Sequence, residues 1–261
     1  MRQDPDVDEI PDYLQGREDK VPEELAAPAD VRSASAPAPP PVDTQLPLPS
    51  AGLYGTHTAP RRFAIAQTIR ILTEVGQIWD GRHAGSPIGI GDISKEGGGQ
   101  ISGHASHRKG IDVDVRPLRK DEEEQPVTID QAAYSRELTQ ELVDLVDANP
   151  VLAVQFVFFN DSQIQGAQHE DNHDNHLHFR FHLPGSGSAA PPMLQLNSRR
   201  AAVRELQRRL NRHAANLNFP PLVVDGHFGT NTEKAVKAVQ ADKGLSPDGK
   251  VGRDTWGVLP A

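Results

Sequence analysis

Apolar and polar residues alternate along two short stretches in the middle of the chain, 111–115 and 176–182. A period of two is typical of a half-buried strand, because successive side chains of a strand point to opposite faces. Asp112 and Asp114 therefore share one face of the first strand, and His178 lies with the other polar residues on one face of the second. If the two strands are neighbours, they present carboxylates and imidazoles to one point.

Several other segments have apolar residues at helical intervals of three and four positions. Segments 62–79 and 130–147 show this spacing, and so do 203–210 and 233–242 near the end of the chain. The apolar run 151–159 has the length of a strand. This mixture predicts an α+β fold, with a small antiparallel sheet in the first domain and a small three-helix C-terminal module after it.

The C-terminal part contains an internal repeat that begins with Asp225-Gly226 and again with Asp248-Gly249. Asp-Gly favours a tight turn, and the Asn or Asp and the Thr that follow the next glycine favour the start of a helix. The repeat therefore predicts two turn-to-helix units within the module.

Composition separates two domains from the segments around them. Residues 1–50 are rich in proline, and the first 49 hold eleven acidic and four basic residues, so we predict a disordered acidic arm. Segment 184–192 is rich in Gly, Ser and Pro and is predicted to be a linker. The remaining ranges are a domain over 51–183 and a smaller domain over 193–261.

The net charge of −9 argues against nucleic acid as a partner. No apolar run approaches the length of a transmembrane helix, and the first residues lack the basic start and apolar core of a secretory leader. The chain also has no cysteine, so it has no disulfides. We expect a monomer that does not insert into a membrane.

Seven of the eleven histidines lie between His104 and His182. Catalytic zinc takes three protein ligands, commonly nitrogen or oxygen, and leaves a fourth position for water. His107, Asp114 and His178 supply this number, and the carboxylate offsets part of the charge of the metal. A histidine-rich loop without function is the alternative, but it does not explain why the histidines and acids keep strand register. We predict a site for one Zn²⁺ ion.

Three stretches resemble the penicillin-insensitive murein endopeptidases, which are zinc peptidases related to the D-Ala-D-Ala dipeptidases and carboxypeptidases. They are Gly98-Gly99-Gln100-Ile101-Ser102-Gly103-His104-Ala105-Ser106-His107, Val157-Phe158-Phe159-Asn160 and His173-x-x-His176-x-His178. The spacing from His107 through Gly110 to Asp114 agrees with the same group. In the dipeptidases a glutamate three residues before the last histidine is the general base, whereas this chain has Asn175. The resemblance covers about residues 54–182.

This resemblance implies that His107, Asp114 and His178 bind zinc and that His176 is the leading candidate for the general base. His173 and His104 are further catalytic candidates. They would orient the water, stabilise the oxyanion or hold the ligands in place, and the sequence does not divide these tasks.

No direct part in zinc binding or catalysis is predicted for the other polar residues of this region. Asp112 is expected either to support a ligand or to be solvated, and His169 and His182 are expected to have no role. No residue is identified as binding the substrate.

The C-terminal repeat resembles the peptidoglycan-binding domain found beside many wall hydrolases. The matching stretches are Val203-x-x-Leu206-Gln207-x-x-Leu210, Val224-Asp225-Gly226-x-Phe228-Gly229-x-x-Thr232 and Asp248-Gly249-x-Val251-Gly252-x-x-Thr255-Trp256. Its apolar positions are expected to form a core, so wall contacts would come from the loops.

These resemblances imply a zinc metallopeptidase that hydrolyses peptide cross-links of bacterial peptidoglycan, of D,D type, with a C-terminal wall-binding module. Two alternatives stay open, a zinc D,D- or L,D-carboxypeptidase acting on stem peptides and a non-catalytic peptidoglycan-binding protein. The protein would act in the cell wall or periplasm. It would arrive there through an injection apparatus that docks the N-terminal arm, by phage-type lysis, or with a leader that this sequence lacks.

Overall fold

The computed structural model describes residues 38–184, 193–217 and 219–259. Most of the predicted acidic arm, residues 185–192 of the predicted linker and the last two residues lie outside this range, so the predictions made for them stay predictions. Below, the N-terminal unit means residues 38–184 and the C-terminal module means residues 193–259. Among the described residues, no helix combines the length and the apolar character needed to span a membrane.

The strands of the N-terminal unit form two sheets. They are β1 (Thr44–Gln45), β2 (Leu53–Gly55), β3 (Phe63–Ala64), β4 (Ile88–Ile90), β5 (Asp112–Val115), β6 (Val154–Phe158) and β7 (Leu177–Phe181). β1 pairs with β3, and the other five form one sheet in the order β2-β4-β5-β7-β6. Three pairings of this sheet are antiparallel, as predicted, and the fourth, between β2 and β4, is parallel.

The register of β5, β6 and β7 collects polar groups on one face of the large sheet. Asp114 pairs with His178, and Asp112 pairs with Arg180. On the other side of β7, Phe158 pairs with His178. Residues that pair directly across strands share a face. The opposite face carries apolar side chains that are fully buried, among them Val113, Leu177 and Phe179.

Helices α1 (Ala66–Arg82) and α2 (Arg136–Asp147) pack on the apolar face. Both helices predicted for this unit are present. They begin at Ala66 and Arg136, a few residues after the starts at 62 and 130 that the apolar spacing indicated. α1 begins only after β3, because residues 63 and 64 are in extended conformation and pair with β1. α2 begins at Arg136 because Ser135 Oγ accepts a hydrogen bond from the backbone N–H of Leu138 at 3.3 Å, which caps the helix. Mixed helices and strands confirm the α+β class.

The described residues of the C-terminal module form three helices, as predicted: α3 (Ala201–Leu217), α4 (Thr230–Asp242) and α5 (Arg253–Val258). Their apolar stripes meet in a separate core. Its fully buried members include Val203, Leu206, Leu210, Val236 and Val239.

One buried glutamine holds each Asp-Gly turn of the module. Gln207 on α3 accepts a hydrogen bond from the backbone N–H of Asp225 at 3.0 Å and donates one to the carboxylate of that residue at 2.8 Å. Gln240 on α4 accepts from the backbone N–H of Gly249 at 2.9 Å and donates to the Asp248 carboxylate at 3.0 Å. The sequence repeat is therefore also a structural repeat, in which a helix glutamine fixes the following turn.

Replacing Gln240 with alanine is expected to lower the free energy of unfolding by about 2–4 kcal/mol. Gln240 is only 2% exposed and Gly249 is buried, so the N–H of Gly249 loses a partner that water does not readily replace, and the Asp248 carboxylate loses one hydrogen bond. Denaturant unfolding measures the change. Gln195→Ala, which alters an exposed glutamine of the same module, should stay within about 0.5 kcal/mol of the unaltered chain. Equal losses in the two variants would show that the turn does not depend on this side chain.

The module packs against the N-terminal unit through α2 and α3. Asp147 of α2 accepts a hydrogen bond from the backbone N–H of Ala202 at 2.8 Å and binds Arg200 at 2.7 Å, so an acid of one unit caps a helix of the other. Arg82 of α1 binds Glu205 of α3 at 2.6 Å, and the Glu205 side chain is fully buried. These contacts hold the module beside the N-terminal unit in addition to the covalent connection.

Candidate metal centre

The loop between β4 and β5 positions His107. This residue has a φ of +60°, in the left-handed region that non-glycine residues rarely adopt, and it is fully buried. Its carbonyl accepts a hydrogen bond from Ser94 Oγ at 2.6 Å, and its N–H donates to Asp112 Oδ2 at 3.2 Å. Gly110 has a φ of +64°, and a Cβ there would lie 2.8 Å from the Cα of Ala64. The close packing of the loop therefore requires glycine at 110 and fixes the His107 backbone.

A hydrogen-bond acceptor of His107 and one of Asp114 face each other. The Nδ1–H of His107 donates to the carbonyl of Ile93 at 2.9 Å, so its Nε2 carries the lone pair. This Nε2 lies 3.2 Å from Asp114 Oδ1, and both atoms are buried without a hydrogen-bond partner among the described residues. Two facing lone pairs in a buried place need a proton or a metal ion between them. A cation between His107 Nε2 and Asp114 Oδ1 would therefore stabilise this arrangement.

His178 approaches the same oxygen from β7. Its Nε2–H donates to Asp112 Oδ1 at 2.9 Å, and its Nδ1 lies 3.7 Å from Asp114 Oδ1. Asp112 is buried and also accepts a hydrogen bond from Arg180 Nε at 2.6 Å. Of the two roles expected for Asp112, the structure shows the supporting one, because its carboxylate orients the imidazole of His178.

His104 approaches the other oxygen of Asp114. Its Nδ1 lies 3.8 Å from Oδ2, while its Nε2 bonds to Asp92 Oδ2 at 2.9 Å. Asp92 is fully buried and is also bound by His57 at 2.9 Å and by Arg61 at 2.6 Å. Burial raises the pKa of the Asp92 carboxyl, but these three partners outweigh that effect and hold the pKa below its usual range. An ionised Asp92 thus fixes the ring of His104.

His176 and His173 lie side by side on the partly exposed side of the centre. His176 Nε2 is 3.9 Å from Asp114 Oδ1, and its Nδ1 bonds to Asn175 Oδ1 at 2.7 Å. The ring centre of His173 lies 4.6 Å from that of His176 and 5.9 Å from that of His178. These two imidazoles are therefore next to the buried groups and still accessible from solvent.

The protonation states of the centre follow from its burial and its charges. Burial raises the pKa of the Asp114 carboxyl, but the surrounding imidazoles, above all His107, outweigh it and hold the pKa below its usual range. Burial lowers the pKa of His176 to about 4, although Asp114 opposes the shift. Burial lowers the pKa of His107, but the Asp114 carboxylate outweighs it and raises that pKa, so the facing pair attracts either a proton or a metal ion.

These donors fit a zinc ion. Two ligand atoms about 2.1 Å from zinc in tetrahedral geometry lie about 3.4 Å apart. The distances from Asp114 Oδ1 to His107 Nε2 and to His178 Nδ1 are 3.2 and 3.7 Å. Among the described residues, His104, His107 and Asp114 form the compact group, because they offer one ligand atom each within 4.8 Å of one another; His178 is not part of it. His107 and Asp114, the pair of facing acceptors, belong both to this group and to the predicted set.

All the side chains predicted for the site lie in one place. His104, His107, His176 and His178 surround Asp114, and the ring of His173 lies beside that of His176. His169, expected to have no role, is 71% exposed and lies near Asp171. His182, expected to have no role either, follows the last residue of β7.

No pattern in the sequence indicates Asp92, which lies in a loop without periodicity. Its partners His57 and Arg61 are 35 and 31 residues away along the chain, so only folding brings them together. Arg180 did carry a signal, because it occupies the polar face of the histidine strand. A charge at such a position is usually solvated, so the pattern alone assigns Arg180 no role.

Comparison with known proteins agrees with this geometry. Residues 44–165 match the family of penicillin-insensitive murein endopeptidases, and residues 199–259 match a peptidoglycan binding domain. An uncharacterized protein in the bpoA1 3′ region of Kitasatospora aureofaciens is 42% identical over 77 residues, which are 30% of this chain and 63% of that protein.

The family match includes three of the residues that meet at the centre, His104, His107 and Asp114, and ends before the strand that carries His178. The family match is therefore silent on His178, which the sequence motif predicted and which the structure places 3.7 Å from Asp114. Residues 44–165 are therefore similar to the penicillin-insensitive murein endopeptidases, and residues 199–259 are similar to a peptidoglycan binding domain.

Proposed function

We propose that this protein hydrolyses peptide cross-links of bacterial peptidoglycan in a zinc-dependent reaction of D,D type. The observation that carries the proposal is the buried pair of acceptors, His107 Nε2 and Asp114 Oδ1, with His178 Nδ1 directed at the same oxygen. A cation-binding centre within a murein endopeptidase domain supports metal-assisted amide hydrolysis.

His107, Asp114 and His178 would hold the zinc ion. We favour His178 over His104 as the third ligand because His178 and His107 face the same oxygen, whereas His104 faces the other one. A zinc ion held by these residues would supply Lewis acidity toward the scissile carbonyl and the attacking water.

His176 would act as the general base. Its Nδ1–H donates to Asn175, so Nε2 carries the lone pair and is directed toward the centre. This nitrogen accepts a proton from the attacking water and returns it to the leaving amine. His104, oriented by Asp92, and His173, packed on His176, would stabilise the transition state from either side.

The C-terminal module would bind peptidoglycan and keep the metal centre near its substrate, which raises the local substrate concentration. Its contacts with α2 hold it beside the N-terminal unit. The place of action is then the cell wall or the periplasm.

Digestion of purified, cross-linked peptidoglycan tests this proposal. The full chain is used with zinc, after treatment with a chelator, and after zinc is restored, and the muropeptides are analysed by mass spectrometry. We expect cross-linked dimers to be converted to monomers only in the two samples that contain zinc.

Other products would point to other functions. Loss of a terminal residue from monomers, with intact dimers, would identify a carboxypeptidase. Intact dimers and intact monomers, with the protein sedimenting with the wall, would identify a non-catalytic wall-binding protein.

A further inference from the structure

The polar face of the sheet continues past the metal centre toward β6. Phe158 pairs with His178, and Phe156 is the next partner along β6, opposite Arg180. The two phenyl rings stack with their centres 4.2 Å apart and their planes at 26°. We call Phe156, Phe158 and Arg180 the arginine shelf. It begins beside a histidine of the metal centre and ends at β6, the edge strand of the sheet.

Arg180 is anchored along one edge of its guanidinium. Its Nε–H donates to Asp112 Oδ1 at 2.6 Å, and its central carbon lies 4.9 Å from the centre of the Phe156 ring. The part of the chain that the structure describes offers no hydrogen bond to the two terminal amino groups. They are also not among the buried unpaired atoms, so they reach solvent. A guanidinium that is anchored and stacked in this way presents its free N–H groups in a fixed direction.

The free edge of Arg180 has the chemistry of a carboxylate site. Arginine binds carboxylates through planar, charge-assisted hydrogen bonds, which are about twice as strong as neutral ones. Arg180 bonds to Asp112 through Nε alone, so its two terminal amino groups remain available to bind a substrate. They lie at the open face beside the centre that would cleave the amide.

The distance along the strand indicates which part of a substrate reaches the shelf. Arg180 follows His178 by two residues, which corresponds to about 7 Å along a strand. A group bound there belongs to a residue close to the scissile amide. Peptidoglycan stem peptides have free carboxyl groups at such positions, and in some cell walls these groups are carboxamides.

We propose that Arg180 is a substrate-binding residue that recognises a free carboxylate beside the cleaved amide, with Phe156 packed against its guanidinium and Phe158 stacked on Phe156. This proposal rests on the proposed function. A carboxamide at the same place has no negative charge. Its NH2 group is a hydrogen-bond donor and would face the N–H donors of Arg180, where a carboxylate has an acceptor oxygen. The enzyme therefore selects cross-links by the state of this carboxyl group.

Two cross-linked muropeptide dimers test the proposal, identical except that the carboxyl group beside the cleaved bond is free in one and a carboxamide in the other. The full chain should cleave the free form with a kcat/KM about tenfold or more above that of the amide. Arg180→Gln should bring the ratio of the two kcat/KM values to between about one and two. Arg180→Lys keeps the charge but lacks the planar pair of N–H groups, so it should retain part of the preference. The readout is the ratio of the two rates.

The ratio separates substrate binding from support of Asp112, because damage to the metal centre slows both substrates equally. An unchanged ratio in Arg180→Gln, even with lower rates, would overturn the proposal. Arg136 provides a matched control, since its Nε also binds a buried aspartate, Asp161, at 2.6 Å from α2. Arg136→Gln should leave the ratio as it is in the unaltered chain.

A binding measurement keeps the test independent of turnover. Chelator-treated full chain is titrated by calorimetry with stem tetrapeptides that carry either the free carboxyl group or the amide. Binding of the free form that is about tenfold tighter, and that Arg180→Gln abolishes, supports the carboxylate site. Equal binding of both peptides overturns it. If neither dimer is cleaved, the proposed function fails, and the titration still decides the role of Arg180.

Discussion

Replacing His178 with alanine is expected to remove bound zinc and cross-link hydrolysis together. The Nδ1 of His178 is directed at Asp114 Oδ1, the same oxygen that His107 faces, so the variant keeps two of the three proposed ligands. A catalytic zinc site needs three. We expect turnover of cross-linked dimers to fall by about 10³-fold or more, the scale of losing a group that stabilises the transition state. Zinc content after dialysis and the rate of dimer cleavage are measured on the same preparation.

Two further alanine variants make this result specific. His104→Ala should keep its zinc and lose turnover, because His104 faces Asp114 Oδ2 and is oriented by Asp92. His169→Ala should behave like the unaltered chain, because this histidine is 71% exposed. Loss of zinc from His104→Ala, with zinc retained in His178→Ala, would instead identify His104, His107 and Asp114 as the ligands.

Replacing Asp112 with alanine is expected to weaken zinc binding by about 10–100-fold, although Asp112 is not a proposed ligand. Its carboxylate accepts hydrogen bonds from the His178 ring, the His107 backbone and the Arg180 guanidinium. Without it, both proposed imidazole ligands lose part of the support that orients them. Competition with a chelator of known affinity measures the loss.

The control for Asp112 is Asp171, an acid whose side chain is 83% exposed. Asp171→Ala should leave zinc affinity unchanged. A similar affinity in Asp112→Ala and in the unaltered chain would show that packing alone orients the two histidines. The free energy of unfolding of Asp112→Ala should fall by about 2 kcal/mol or more, because two buried donors and one partly buried donor lose their acceptor.

Periodicity predicted the elements of the fold better than their ends. Alternation around Asp112 and Asp114 correctly indicated β5, since a strand with one polar face needs a period of two. The start of α2 was predicted at residue 130, whereas a serine cap places it at Arg136. A cap depends on backbone geometry at one residue, and a pattern of apolar positions does not contain that information.

The parallel pairing of β2 with β4 lay outside sequence reasoning for a different reason. Both are strands of three residues, too short for a periodic signal, and α1 separates them along the chain. Their pairing is decided by how α1 returns the chain to the sheet, which is a property of packing rather than of local sequence.

The sequence by itself determined the α+β class, the three-helix module with its repeated turns, and the residue types of the site, because periodicity and motif spacing are local. Only the tertiary structure decided which nitrogen of each histidine faces Asp114, that Asp112 and Asp92 lie behind two of these rings, and that Arg180 keeps a free edge beside them. These features depend on contacts between residues distant in the chain: 66 positions separate Asp112 from His178, and 35 separate His57 from Asp92. Such contacts are set by strand register and loop packing, which no local pattern encodes.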